Sequence, residues 1–190
     1  HYIRKDTALD AEALERGTSA YLINRVIHML PEQLAAEKCS LVPGEDRLAL
    51  SVDIVLGRDG QVVSFAVCET SIRSAARLSY QAVQAVLDGC EEDAGVAMQW
   101  RDELLLMAEL CQKRAEIRSA RGSLALDLPE ALVELDAHGK PLRLGVYPRY
   151  LSNRIIEEFM LVANECVGRF CTERNLPVLY RVHLPPAAQK

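Results

Sequence analysis

The strongest constraint on the fold is a pair of apolar segments separated by a tight turn. Residues 47–56 and 61–74 are rich in Val, Ile, Leu and Phe, which favour β-strands. The four residues between them, Gly57-Arg58-Asp59-Gly60, contain the residue types that tight turns prefer. Two strands joined by so short a turn can pair only in the antiparallel sense. The sequence therefore predicts a β-hairpin over residues 47–74.

The remaining elements follow from periodicity and from capping residues. We predict a second hairpin over 131–147, helices over 8–16, 79–88, 97–119 and 153–172, a strand at 20–23, a short helix after Pro31 and a loop over 89–95. The long helix over 97–119 carries Trp100, Leu104, Met107 and Cys111 in one buried stripe. Hairpins and helices in this order predict an α+β fold, with a mixed, mostly antiparallel sheet and flanking helices. The 190 residues show no internal repeat or linker, and residues 1–190 are predicted to form a single domain.

The helix predicted over 153–172 has a recognisable distribution of side chains. At 100° per residue, one face collects apolar residues: Ile156, Phe159, Met160, Ala163, Val167 and Phe170. The opposite face, expected to be exposed to solvent, carries Arg154, Glu158, Glu165 and Arg169. Glu157 and Asn164 lie seven residues apart and share a flank beside Gly168. A glycine there allows a ligand or another backbone to approach closely.

The spacing of the cysteines and the net charge limit which functions are possible. The six cysteines form no CxxC pair and have no histidine at zinc-finger spacing, which favours free thiols in a reducing, cytoplasmic compartment. No apolar stretch is long enough to span a bilayer, so no membrane association is expected. The formal net charge of −5 is unfavourable for binding phosphates. A nucleic-acid ligand therefore requires basic residues that cluster locally or lie on other modules.

Several runs of residues along the chain resemble one family. They are 16–22 (RGTSAYL), 29–32 (MLPE), 39–47 (CSLVPGEDR), 72–74 (IRS), 77–80 (RLSY), 156–165 (IEEFMLVANE) and 179–183 (LYRVH). In order and spacing they resemble the catalytic (RNB) domain of the ribonuclease II and ribonuclease R family, over almost the whole chain. The resemblance implies that this chain is an interior portion of that catalytic domain.

The resemblance also implies an activity: processive 3′→5′ hydrolysis of single-stranded RNA to nucleoside 5′-monophosphates. The family uses two Mg²⁺ ions held by closely placed carboxylates, which it supplies from an Asp-rich segment upstream of the point where this chain begins. We therefore expect no metal site within this chain and no activity from it alone. The expected partners are the 3′ end of single-stranded RNA and the rest of the parent protein, including OB-fold RNA-binding modules, but not DNA.

Three residues match family positions that contact RNA, and a fourth is a candidate from its place on the same helix flank. Tyr21 would clamp the RNA by stacking on a base, and Tyr80 would lie beside the terminal nucleotide. Glu157 would contact the terminal sugar, with Asn164 as a weaker candidate on the same flank. Each match has a structural alternative. Tyr21 is also compatible with a half-buried strand residue, Tyr80 with an aromatic packed on the neighbouring hairpin, and Glu157 with a first-turn acid favoured by the helix dipole.

Other features leave two alternatives open. Arg73, Arg77 and Arg154 are candidates for tracking RNA phosphates, although for each one taken singly an exposed, solvated charge is the favoured alternative. Leu126 occupies a position where the family commonly has a second stacking aromatic, so the grip on the last nucleotides is expected to be weaker. A non-catalytic RNA-binding or regulatory protein of the same fold therefore remains the alternative to an exoribonuclease.

Overall fold

The structure is a computed structural model, described here for residues 2–123 and 128–180. In chain order its elements are α1 (Ala8–Arg16), β1 (Ala20–Tyr21), β2 (Val26–Ile27), a π-helical segment (Gln33–Lys38), β3 (Asp46–Leu56), β4 (Val62–Arg73), α2 (Tyr80–Asp88), α3 (Glu91–Ala94), a 3-10 segment (Gly95–Trp100), α4 (Arg101–Ala120), β5 (Ala131–Leu135), β6 (Pro141–Val146) and α5 (Leu151–Glu173). Within these ranges the strands pair as three antiparallel hairpins, and one isolated bridge, between Pro43 and Ser74, is parallel. The predicted α+β class is confirmed.

The long hairpin β3–β4 forms as predicted. Its register pairs Asp46 with Arg73 at the open end and Ile54 with Phe65 near the turn. Gly60 adopts a φ of 79°, a conformation that side chains with a Cβ avoid, and its amide donates to the Gly57 carbonyl at 2.9 Å. This turn lies against α4, because the Lys113 Nζ donates to the Arg58 carbonyl oxygen at 2.6 Å.

A small core forms where α2, the 3-10 segment and α4 meet. Val86 is 4% exposed, Leu104 is 6% exposed, and Ala94 and Ala97 are fully buried. Trp100 and Met107 pack against this cluster and Cys111 is buried, so the stripe predicted for the long helix is confirmed.

The loop predicted over 89–95 is wrong, because this segment contains α3 and begins the 3-10 segment. The acidic run Glu91-Glu92-Asp93 is exposed, as a loop would be, but the two alanines that follow it are buried against α2. Packing of Ala94 and Ala97 therefore overrides the local preference of a glycine-flanked acidic run for a loop.

Helix α5 is rotated relative to the prediction. Its buried stripe contains Ile155, Val162 and Cys166, whereas Ile156 is 48% exposed and Met160 is 54% exposed. Glu158, expected in solvent, is 3% exposed. Its Oε1 accepts from the Arg118 Nη2 at 2.6 Å and from Nε at 3.0 Å. Two charge-assisted bonds offset the loss of hydration, which explains how a carboxylate occupies the helix interface.

All six cysteines are free: Cys111, Cys166 and Cys171 are buried, and Cys39, Cys68 and Cys90 are exposed. Burial raises the pKa of the Cys111 and Cys166 thiols. In the described part of the chain, no helix combines the length and the apolar character needed to cross a membrane.

Candidate nucleic-acid interface

Tyr21 lies in a short hairpin that carries its ring out into solvent. It pairs with Val26 across β1–β2, and the Leu22 amide donates to the Arg25 carbonyl at 2.9 Å to close the turn. The Ser19 hydroxyl accepts from the Met29 amide at 3.0 Å and holds the base of the hairpin. The Tyr21 side chain is 79% exposed, so it is not the half-buried core residue of the structural alternative. Its ring is accessible for stacking.

Tyr80 is the first residue of α2. Ser79 caps this helix, because its hydroxyl accepts from the Ala82 amide at 3.2 Å. The inward face of the helix carries Val83 and Val86, which are buried, while Tyr80 is 44% exposed. The ring therefore stands at the positive end of the helix dipole, half in solvent.

The beginning of α5 is fixed to the beginning of α2. The Ser152 hydroxyl donates to the Tyr80 carbonyl at 2.9 Å, and the Ser152 amide donates to the Gln84 Oε1 at 3.2 Å. The Asn153 side chain accepts from the Tyr150 amide at 3.0 Å and caps the helix. Because the bond between Ser152 and Tyr80 joins the first turns of both helices, two helix N-termini meet beside Tyr80. Paired N-termini create a local positive potential that favours an anion such as phosphate.

Glu157 follows in the second turn of α5, and the first turn contains no acidic residue. The first-turn position assumed by the helix-dipole alternative is therefore wrong. Its Oε2 instead accepts from the Arg149 Nη2 at 2.9 Å, and its side chain is 36% exposed. The guanidinium fixes the direction of the carboxylate while part of it stays accessible to a ligand.

A cavity of about 650 Å³ opens next to this pair. It is bounded by Glu130 and Tyr147 at the base of β5–β6 and by Arg149 and Asn153 at the start of α5. Tyr147 is half exposed. An aromatic ring, a guanidinium and a capped helix N-terminus around one cavity are suited to a nucleotide, with the ring for a base and the guanidinium and helix N-terminus for a phosphate.

Asn164 and the candidate arginines are spread more widely. Asn164 is exposed on α5, seven residues from Glu157, or about 10 Å along the helix at 1.5 Å per residue. Arg73 Nε donates to Asp46 Oδ1 at 2.8 Å across the open end of the long hairpin, and this bond raises the pKa of the arginine. Arg77 and Arg154 are exposed, and neither pairs with a carboxylate among the described residues.

The structure brings part of the predicted set together. Tyr80 and the helix that carries Glu157 share one junction, and Ser152 and Gln84, which make that junction, were missed in the sequence. Tyr21 belongs to a separate hairpin, and no described hydrogen bond joins that hairpin to α2 or α5. Leu126 lies outside the described residues.

Metal ligands were searched over the same ranges. Residues 2–123 and 128–180 contain no group of three or more His, Cys, Asp or Glu side chains that could hold a metal ion. The expectation that Mg²⁺ is held by residues outside this chain stays a prediction.

Comparison with known proteins places this geometry in a family. The RNB domain model matches residues 1–190. Ribonuclease R of Aquifex aeolicus is 39% identical over 190 residues, which cover 100% of this chain and 27% of that protein. Ribonuclease R of Thermotoga maritima is also 39% identical, covering 98% of this chain and 26% of that protein. The chain thus spans about a quarter of the length of these relatives.

Solved structures of other proteins share the fold of this chain. The ribonuclease R of Mycoplasma genitalium, in complex with ribose methylated single-stranded RNA, superposes with a TM-score of 0.88 at 28% identity, covering 98% of this chain and 29% of that chain. Yeast Ssd1, a pseudonuclease, superposes with a TM-score of 0.64 at 19% identity over 91% of this chain and 21% of that chain, which shows a shared fold alone.

Proposed function

Because this chain belongs to the RNB domain family, we propose that it holds RNA within an exoribonuclease that shortens single-stranded RNA processively from its 3′ end. Water attacks the last phosphorus atom, and the bond from this atom to the 3′ oxygen of the preceding nucleotide breaks. A nucleoside 5′-monophosphate leaves, and the RNA keeps a 3′ hydroxyl. Mg²⁺ ions, held by carboxylates outside this chain, would activate the water and stabilise the leaving oxygen. Alone, the chain would bind RNA without cleaving it.

The observation that carries this proposal is the junction of α2 with α5. Hydrogen bonds from Ser152 to Tyr80 and Gln84 hold two helix N-termini together, next to an exposed ring. A terminal nucleotide has a base, a phosphate and a sugar. Tyr80 is available to the base, the paired N-termini suit the phosphate, and Glu157 would accept from sugar hydroxyls.

Tyr21 would act separately, by stacking on a base further from the cleaved bond. Stacking of a base on an aromatic ring contributes about 1–3 kcal/mol and is nearly independent of sequence. Loss of the ring should release short RNAs earlier, since these depend most on each contact. Contacts at the cleaved bond would stay intact, so the cleavage step should change little.

The experiment is digestion of a 5′-labelled oligoribonucleotide by the full-length protein, with the end products resolved by length. Tyr21→Ala should lengthen the final product while leaving the initial rate nearly unchanged. Tyr2→Ala is the matched control, because Tyr2 is also exposed, at 51%. If both variants leave the end product of the unmodified protein, Tyr21 has no part in the grip.

The role of Glu157 is tested with a substrate that ends in a single 2′-deoxynucleotide. Glu157→Ala should relax discrimination against this end, because the acceptor for the 2′ hydroxyl is removed. Glu69→Ala, at an exposed position of β4, is the control. A Glu157 variant that still rejects the deoxy end as strongly as the control would refute the assignment.

The rival function is RNA binding without hydrolysis. It is favoured by the occurrence of this fold in a pseudonuclease, because the fold by itself does not fix the chemistry. Full-length protein incubated with Mg²⁺ and 5′-labelled RNA separates the two. Binding without any shortening of the label would support the rival, and stepwise shortening would support the exoribonuclease.

A further inference from the structure

A cleft rich in arginine lies beside the second half of α5, whereas the junction with α2 is at the beginning of this helix. A cavity of about 660 Å³ opens between the tip of the long hairpin, the last turns of α4 and the second half of α5. Gln61, Arg114, Arg121, Glu165 and Arg169 contribute polar side chains to its wall. Glu165 lies eight residues beyond Glu157, or about 12 Å along the helix. The cleft is therefore distinct from the proposed site for the RNA end.

Charge in this cleft is unbalanced. Among the described wall residues there are three guanidinium groups and one carboxylate, in a chain whose formal net charge is −5. The carboxylate of Glu165 is shared, since Oε2 accepts from the Arg114 Nη2 and Oε1 from the Arg121 Nη2, each at 2.8 Å. One negative group thus faces two arginines, and Arg169 adds a third guanidinium, whose own partner, Glu173, lies outside the wall of the cleft.

Glu165 responds to this positive field. Partial burial alone would raise the pKa of its carboxyl, but the hydrogen bonds and the charges of Arg121 and Arg114 together outweigh burial and the pKa is lowered. The field of the arginines therefore exceeds the cost of partial burial at this position.

Arg114 supplies an independent observation. Its side chain is 5% exposed, its Nη1 donates to the Gly60 carbonyl at 3.3 Å, and its Nε–H has no acceptor among the described residues. Buried polar groups nearly always have a partner, so a buried guanidinium donor without one indicates an acceptor still to be bound. Arg114 also lines the cleft, so an anion bound there would approach this unpaired donor.

The walls also restrict the arginines. Arg169 stacks on Phe65, with its Cζ 5.2 Å from the ring centroid, and it lies 3.6 Å from Glu173. The turn at Gly60 fixes Arg114 from the other side. Arginines held in this way lose little freedom when they bind, and their planar groups match the geometry of phosphate oxygens.

We propose that this cleft, bounded by Arg114, Arg121 and Arg169, is a second anion site that binds a phosphate group. The phosphate belongs either to a free monoester or to the backbone of an RNA strand. The proposal does not depend on the activity of the protein, because the cleft lies away from the junction of α2 with α5. Its test measures binding only.

The test uses full-length protein labelled with ¹⁵N-arginine, in which the Arg114 Nε–H resonance reports on the cleft directly. Inorganic phosphate, adenosine 5′-monophosphate and a short oligoadenylate are titrated in turn at constant ionic strength set with chloride. A saturable shift of this resonance with the first two supports a monoester site. A shift with the oligoadenylate alone supports an RNA backbone phosphate. If none of the three moves the resonance, or if chloride moves it equally, the proposal is overturned.

Matched variants sharpen the result. Arg101 is the first residue of α4 and Arg121 follows its last residue, about 30 Å away, and their side chains are equally exposed, at 54%. Arg121→Gln should weaken binding about tenfold, or roughly 1.4 kcal/mol, whereas Arg101→Gln should leave it unchanged. Arg169→Gln, on α5 and 60% exposed, should weaken binding as Arg121→Gln does. Equal affinities for all three variants would overturn the proposal.

Discussion

Removing one partner of the buried ion pair between α4 and α5 should destabilise the fold much more than removing one partner of a surface pair. Glu158 is 3% exposed, and it receives two bonds from Arg118. Removing one partner of a buried pair costs about 3–5 kcal/mol. We expect Arg118→Met to reach that range, because it leaves the carboxylate buried without a cation. Glu158→Gln should cost about 2–3 kcal/mol, because the Arg118 side chain is 28% exposed and keeps its bond to Ser123.

Urea unfolding followed by the fluorescence of Trp100, the only tryptophan of the chain, measures both losses. The double variant should lose less than the sum of the single losses, with a coupling of about 1–3 kcal/mol. Glu173→Gln is the control, since its pair with Arg169 is exposed and its loss should stay within about 0.5 kcal/mol. Losses of unfolding free energy that simply add in the double variant would refute this account. So would a Glu158 variant that is as stable as the Glu173 control.

Three further outcomes are expected. Because the arginines lower the pKa of Glu165, its ionised form stabilises the fold above the ordinary glutamate pKa, and this contribution is lost as pH falls through the lowered pKa. In Glu165→Gln the free energy of unfolding should therefore depend less on pH in the acid range. An unchanged pH dependence would contradict this. Gly60→Ala should lower the thermal unfolding temperature more than Gly89→Ala. Both glycines have a positive φ, but of the two only Gly60 would bring a Cβ against another atom, the Lys113 Cβ at 3.0 Å. Equal losses for the two variants would show that this contact has no effect. Burial raises the pKa of the Cys111 thiol. In native protein a disulfide reagent should therefore modify the exposed Cys90 before Cys111, and mass spectrometry would show the order. The reverse order would be inconsistent with the burial of Cys111.

Local signals in the sequence were enough to predict most elements. The long hairpin was predicted because its strands are apolar and its turn contains two glycines, and both signals lie within 28 neighbouring residues. The helix at 79–88 was predicted within one residue of its observed bounds, Tyr80–Asp88, and Ser79 and Gly89 cap its two ends. Such features depend on interactions between residues close in sequence, and these are the interactions that a sequence displays directly.

The rotation of α5 could not be predicted in this way. The apolar face expected from periodicity includes Ile156 and Met160, which are about half exposed. The buried face includes Glu158, whose partner Arg118 lies 40 residues earlier. Periodicity treats every charge as exposed, so a helix that buries a paired charge is assigned the wrong inward face.

The site was predictable only in its parts. Matching runs indicated Tyr21, Tyr80 and Glu157 one at a time, and the structure leaves their roles as proposals. The junction that brings Tyr80 to α5 consists of bonds from Ser152 to residues 68 and 72 positions away. A serine in the first turn of a helix is common and has no distinguishing pattern, so its contact with a distant carbonyl appears only in the folded chain.

Neighbouring glutamates on α5 link stability to the proposed function. Glu157 is partly exposed beside Arg149, while Glu158, 100° around the helix, is buried against Arg118. An apolar helix face tolerates small rotations, but a buried carboxylate with one cation has a single favourable position. The pair of Glu158 with Arg118 thus fixes the rotation of α5 and, through it, the direction in which Glu157 points. A charge pair that contributes little net stability over apolar residues is explained here by the orientation that it imposes.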